Sequence, residues 1–405
     1  MGSSIANSRT FPDHNQNYWQ LASIQSAAQG WPGVQIGGQI ALQLGVGKAI
    51  TSIVIGNLLL WMMGLTIISM AAPGRYNAIE NVNRYLGKTG GLFLAICLII
   101  SFVSWYILQI NDSIISINSL VLLKGGTLRW GAALSMFISL ISVGGIILIK
   151  RYCVVVFPLM FCFVSYLALK YVSRFHIDGL FDLSIFGIIT IAAANLSGMV
   201  NLPTFFRHSR SQADSYLGLS FMILFTILFQ IAMLVVSFPE ENPIRAGNNA
   251  ETISWISLIL MMLISINLVN IYFAAAAWEM ILPHRRSSKE YVVIGLIGTV
   301  AYTFLQIPTP MEFLEVMANN FIASLGIVLM MAFLVRIVVK HRPRPLEQLI
   351  NLACWLLGGV IGTIAQARGL ADPTQTLIVS MSVSFIAFVI SIFIEETVWA
   401  MRKAV

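Results

Sequence analysis

The densest polar chemistry in the chain lies in the segment FVSWYILQIND, where Trp105, Gln109 and Asp112 stand at i, i+4 and i+7 within a long apolar run. At about 100° per residue, this spacing sets an aromatic plane, an amide and a carboxylate on one face of a helix. A flat ring can stack on the indole, and the amide offers that ring's edge both a donor and an acceptor. Such a face suits a planar, hydrogen-bonding heterocycle. Asp112 implies different chemistry, because a carboxylate inside an apolar span is costly and faces a cavity, a partner or a proton path. Two readings of it stand: it couples a proton, or it lies near the aqueous end of a tilted helix whose apolar run continues only to Leu123.

A second polar set, Ser265, Asn267 and Asn270, interrupts the apolar segment SINLVNIYFAAAAWE. Hydroxyl and carbonyl oxygens suit a small hard cation, and hydrogen bonding between helices is the competing role for each of them. Asn319 and Asn320, with Glu279, Glu395 and Glu396 near the ends of apolar runs, read as lining or terminal residues.

The elements that must position these groups follow from composition. The 405 residues are 58% hydrophobic and only 10% charged, with a mean hydropathy of +0.83, whereas soluble domains are about a quarter charged. This is an all-α polytopic membrane protein. Runs of about 20 apolar residues predict twelve spans, near 24–47, 49–71, 90–122, 130–149, 152–172, 183–206, 215–238, 251–281, 291–307, 313–337, 347–367 and 375–400. Most of the 24 Lys and Arg residues, among them Arg75, Arg84, Lys88, Lys150, Arg151, Arg207, Arg210, Arg336 and Arg402, fall on the side of the termini. The positive-inside rule then places both termini in the cytoplasm. The net charge of +7 is spread over many short loops and forms no nucleic-acid stripe.

Other chemistries find no support. The four cysteines sit in apolar runs without paired spacing, and the five histidines lie in tails or between spans, so no disulfide framework, metal centre or resident cofactor is indicated. A membrane-embedded enzyme built on Asp112 lacks an in-span histidine, a nucleophile elbow and a metal pattern, so the chain reads as a non-enzyme. The opening MGSSIANSRTFPDHNQNYWQ has no apolar core and is not expected to be a cleavable signal peptide.

Residues 24–48 are apolar enough to cross a bilayer, yet Gly30, Pro32, Gly33, Gly37 and Gly38 sit in their middle. Proline lacks a backbone donor and glycine weakens a helix, so this span is expected to break at mid-membrane. Unwound backbone is tolerated at that depth only inside protein or beside a wet cavity. Gln29, Gly30, Trp31 and Gln35 are therefore candidate binding residues. The sixth span is also interrupted, at Asn195, Ser197, Gly198, Asn201 and Pro203, which adds Asn195 and Gly198 as candidates. Broken first and sixth helices point to a five-plus-five inverted repeat with its site at the two breaks. The expected organisation is a tail over 1–23, a ten-helix core over 24–338, and two further helices with a short C-terminus over 339–405.

On these residues a resemblance can be named. The segments SIVIGNLLLWMMG, the Trp105-Tyr106 pair and NLSGMVNLPTFFRHSRSQADSYLGLS are similar to the nucleobase:cation symporter family of cytosine, purine and hydantoin permeases, over Trp19 to about Arg336. The resemblance implies a leucine-transporter-type fold, ring stacking on Trp105, amide contacts from Gln109 and Asn270, and a sodium site at Ser265 with backbone carbonyls near Ala28 and Trp31. The chain departs from the family pattern in three places. Ser265 is flanked by Ile264 and Ile266 rather than a second hydroxyl, Ala194 and Asn195 stand where a second aromatic wall is usual, and Asn319, Asn320 and Phe321 replace a proline-containing gate. Asp112 then offers a proton in place of sodium.

The expected function is symport of a nucleobase or related planar heterocycle with H+ or Na+ by alternating access in a cell (inner) membrane. Its partners would be the small molecule, the cation and membrane lipid, and no nucleic acid. An amino-acid or amine symporter on the same fold and a non-transporting ligand sensor are the alternatives.

Overall fold

The structure, a computed structural model, describes residues 16–172, 182–237, 249–282, 289–305, 308–338 and 346–404. The described chain is helical, and its one β-type pairing is an isolated bridge between Gln16 and Ser209. In order, the helices are α1 (Tyr18–Ala27), α2 (Trp31–Leu44), α3 (Val46–Ala71), α4 (Ala78–Leu120), α5 (Thr127–Ile141), α6 (Gly145–Tyr171) and α7 (Ile185–Asn201). They continue as α8 (Pro203–Phe206), α9 (Gln212–Ser237), α10 (Asn249–Ile281), α11 (Lys289–Leu305), α12 (Pro308–Val338), α13 (Glu347–Ala367) and α14 (Pro373–Ala404).

Eight helical stretches among the described residues are long and apolar enough to cross a bilayer, or nine if one bent pair counts as a span. The protein is therefore a multi-pass membrane protein. One of those stretches, Thr127–Tyr171, has 45 residues, about 68 Å of helix, twice a bilayer core. A 3-10 turn at Ser142–Gly144 and a non-helical Gly145 (φ 55) divide it into α5 and α6. This moves the expected boundary: Lys150 and Arg151 fall inside α6 rather than between spans, because the glycine pair supplies the turn.

The first span is split as its glycines suggest, though at a different residue. α1 begins at Tyr18, inside the segment read as tail, because Asn17 and Gln20 form a reciprocal capping box. The break covers Ala28 to Gly30, with Gly30 at φ 70 capping α2. Pro32 lies in the first turn of α2, where a missing N–H costs nothing. Pro32 thus starts the second half-helix instead of interrupting one. The sixth span bends by 42° between Ile185–Ala193 and Gly198–Phe206, a milder interruption than the first.

The inverted repeat shows in which helices touch. Exchanging α1/α2 with α7/α8, α3 with α9, α4 with α10, α5 with α11 and α6 with α12 carries the major packing pairs among these helices onto one another or onto themselves. The α4–α10 and α5–α11 pairs map onto themselves, α3–α7 onto α9–α1, and α4–α12 onto α10–α6. The helices fall into two groups, α1, α2, α3, α7 and α9 on one side and α4, α5, α10 and α11 on the other, with α13 and α14 against α12.

Candidate functional site

Between these two groups lies a cavity of about 90 Å³, room for about three waters at roughly 30 Å³ each. The break in the first span supplies Ala28 and Gln29, α1 supplies Gln25, and α4 supplies Phe102, Trp105 and Gln109. The bend of α7 adds Asn195 and Gly198, α9 adds Met222 and Thr226, and α10 adds Ile266, Val269, Asn270 and Phe273. Seven of the residues singled out in the sequence therefore meet on one cavity.

The break positions its neighbours through a close approach. A Cβ on Gly30 would lie 2.7 Å from the Gln109 amide nitrogen, closer than any side chain allows, and its positive φ disfavours other residues. Gly30 thus lets the first span press against α4 at the level of Gln109. Gln109 itself is only 2% exposed.

The polar groups here are mostly amides with atoms to spare. Gln29 donates its Nε2 to Thr226 Oγ1 at 2.8 Å, leaving Gln29 Oε1 without a partner, as are Gln109 Oε1, Gln25 Nε2 and Asn195 Nδ2. Asn270 donates to Asn267 Oδ1 at 3.3 Å. Buried polar atoms left unpaired are costly, and these two acceptors and two donors all belong to residues that line one cavity. No lining residue is charged.

Two expectations need revision in detail. Asp112 does not line the cavity; it lies beyond Gln109, where Asn111 Nδ2 donates to it at 3.3 Å. Ser265 is fully buried away from the lining, donating to the Met261 carbonyl at 2.8 Å and meeting the Cys153 thiol of α6. The side chains of Trp31 and Gln35 lie outside the described residues. An aromatic wall does exist, but α4 and α10 build it: Phe102 and Phe273 meet with ring centroids 4.8 Å apart. These two phenylalanines, Gln25 and Thr226 escape a sequence reading. Only Gln25, four residues before Gln29 and so on the same helical face, left a periodic signal.

Beside the lining, Phe273 packs on Phe205 of α8 with ring centroids 5.0 Å apart. Phe205 of α8 and Tyr272 of α10 lie with centroids 4.5 Å apart, and His208 Nε2 shares a 2.9 Å hydrogen bond with the Tyr272 hydroxyl. Arg207 donates to the same hydroxyl at 3.5 Å. This cluster ties the two helix groups together.

No family model and no curated protein sequence matches the chain. Among solved structures it is similar to Mhp1, a nucleobase-cation-symport-1 family transporter in a closed conformation with bromovinylhydantoin bound. The identity there is 13%, the TM-score 0.65, and the match covers 94% of this chain and 93% of that one. It is also similar to a Na+-coupled sialic acid symporter in a substrate-bound outward-open state, at 14% identity, covering 92% and 89%, with a TM-score of 0.65. A manganese transporter of Eremococcus coleocola matches at 11% identity, covering 95% and 94%, with a TM-score of 0.57. At such identities the likeness establishes the fold: an all-α inverted-repeat transporter architecture with two further helices.

Proposed function

We propose that the chain is a secondary active transporter that carries an uncharged, planar, hydrogen-bonding heterocycle of the nucleobase or hydantoin class together with a cation. The observation that carries this reading is the cavity between the two helix groups, walled by Trp105 and by amides with unpaired atoms and holding no charged side chain. A ring bearing alternating N–H and C=O groups complements Gln25, Gln29, Gln109 and Asn195, and stacks on the indole. An amino acid brings two charges to a lining that offers none, which disfavours the amine reading. The bound hydantoin of one structural neighbour supports the same class. Coupling to an inward cation gradient would make the direction import.

A sodium ion fits this chain poorly. Hard cations gather about six oxygens, whereas Ser265 sits beside a soft thiol and spends its hydroxyl hydrogen on Met261. The donors therefore favour a proton as the coupling ion.

The test is a thermal-shift series on the detergent-purified protein with hydantoin, uracil, cytosine and phenylalanine, with sodium or potassium as the salt. A ligand at a hundredfold excess over its Kd adds about 2.7 kcal/mol. Stabilisation by a heterocycle, equal in both salts and followed by uptake into proteoliposomes, is expected. Stabilisation by phenylalanine alone would overturn the substrate class, and binding without uptake would make the protein a sensor.

A further inference from the structure

We propose that Glu315 on α12 is the site where the coupling proton binds. This rests on the cation-coupled reading above and gives it a residue. Glu315 is 8% exposed. Its carboxylate accepts from the Asn319 amide one turn along the same helix, and Asn319 Oδ1 accepts from the Ser101 hydroxyl of α4 at 3.4 Å. Glu315, Asn319 and Ser101 thus form a buried chain joining α12 to α4.

The register places this chain beside the cavity. Arg336 lies over the Tyr85 ring, Phe93 meets Phe321 and Ser101 meets Asn319, so residue numbers rise along α4 as they fall along α12. Stepping one turn from Asn319 to Glu315 therefore matches one turn from Ser101 to Trp105. Glu315 stands at the height of the indole on which the ring stacks.

A buried ionised carboxylate demands a cation or several donors, and no described residue forms an ion pair with Glu315. The elements against α12 bring little charge to this height. α7 has none, and α3 has only Lys48 in its first turn. α4 brings Asp112, and its Glu80, Arg84 and Lys88 lie at the other end. α13 brings Glu347, which binds Arg336 at the far end of α12, and at the Glu315 end it brings Gln366, which donates to the Phe313 carbonyl at 3.4 Å, with Arg368 and Asp372 beyond it in the turn to α14. α14 has Glu395, Glu396, Arg402 and Lys403 at its far end. On α12 itself Glu312, another acid, lies one turn away. A carboxyl that carries a proton needs no such partner.

The inverted repeat supplies an independent reason. Phe102, Trp105 and Gln109 of α4 line the cavity with the same i, i+3, i+7 spacing as Ile266, Val269 and Phe273 of α10. That correspondence carries Ser101 onto Ser265, and the same exchange carries α12 onto α6. Ser265 meets a neutral thiol on α6, whereas Ser101 meets Asn319 and, through it, a carboxylate on α12. Of the two equivalent wall positions, the one on α12 can hold a charge.

In the cycle, a proton from the solution on the open side attaches to a Glu315 carboxylate oxygen. The neutral carboxyl lets α12 and α4 close over the loaded cavity. After the groups rock, the proton leaves to the opposite solution and the carboxylate is restored, so one proton crosses per turn and no other bond changes.

Two measurements test this on the full chain. The first is the infrared carboxyl C=O band of detergent-purified protein recorded across a pH titration without substrate, in wild type, Glu315→Gln and Glu315→Asp. The second is proteoliposome uptake of labelled uracil and hydantoin, driven by a pH gradient or by exchange. A titrating band absent from Glu315→Gln is expected, with gradient-driven accumulation reduced at least about tenfold, exchange kept, and coupling partly restored in Glu315→Asp. Glu315→Gln accumulating like wild type would overturn the proposal, as would a coupling loss confined to Asp112→Asn. If wild type takes up no probe, the transport reading and the coupling role fall together. A band that does not titrate or does not depend on Glu315 removes the proton site whatever the uptake shows.

Discussion

Trp105 and Gly30 make opposite contributions to the same site. Trp105 offers a half-buried ring face to the cavity, and a stacked aromatic pair is worth about 0.5–1.5 kcal/mol beyond its buried area. Trp105→Phe is therefore expected to weaken heterocycle binding only a few fold, and Trp105→Ala by about tenfold or more, in an equilibrium binding assay with unchanged melting of the unliganded protein. Gly30 contributes by having no side chain. Gly30→Ala puts a Cβ 2.7 Å from the Gln109 amide nitrogen and adds the strain of a positive φ, about 1–3 kcal/mol. It should lower the melting temperature and abolish binding together, whereas Gln109→Ala should abolish binding with little loss of stability. Equal melting for Gly30→Ala and wild type would show that the break does not hold Gln109.

Among the elements, α8 and α10 meet beside the cavity wall through Phe205 and, on α10, Tyr272. Its ring also lies nearly parallel to Tyr291 of α11, 11° apart with centroids at 6.0 Å, so Tyr272→Phe keeps the ring packing and removes only the hydroxyl. Its hydrogen bonds with His208 and Arg207 join the helix group of the first and sixth spans to the group of the third and eighth. Losing them costs about 0.5–1.5 kcal/mol per bond and eases separation of the two groups. Faster substrate exchange with a slightly lower melting temperature is the expected outcome, and slower exchange would remove Tyr272 from the contact that holds them. How far such elements can be foreseen depends on their period. The Trp105–Gln109 pair is legible because its spacing matches the helical repeat, and the first break because glycines crowd one stretch. Its position is not, since proline is neutral in a first turn and the sequence alone cannot say which glycine turns the chain. Phe102 and Phe273 look like any core phenylalanine until two helices bring them together. Glu315 falls at the start of the expected span 313–337 with no periodic partner to mark it, and only the antiparallel register against α4 shows what it meets.

At the scale of the whole molecule, the paired exchange of packing contacts means each helix group is built twice from unrelated residues, and the cavity sits on the seam between them. In the proposed cycle, rocking one group against the other opens the seam at alternate ends without dismantling either group. The charge inventory of that seam fixes what crosses it. The lining is uncharged, the proposed cargo is neutral, and one proton accompanies it, so each cycle moves one positive charge. A charge crossing 100 mV gains about 2.3 kcal/mol, which corresponds to roughly fiftyfold accumulation at equilibrium. Proteoliposomes given a potassium diffusion potential, negative inside and with no pH gradient, should therefore concentrate labelled uracil or hydantoin, and reversing the potential should expel it. Accumulation that ignores the potential would mean that the cargo carries a negative charge alongside the proton, and the uncharged lining would then have to be reconsidered together with the class of ligand it holds.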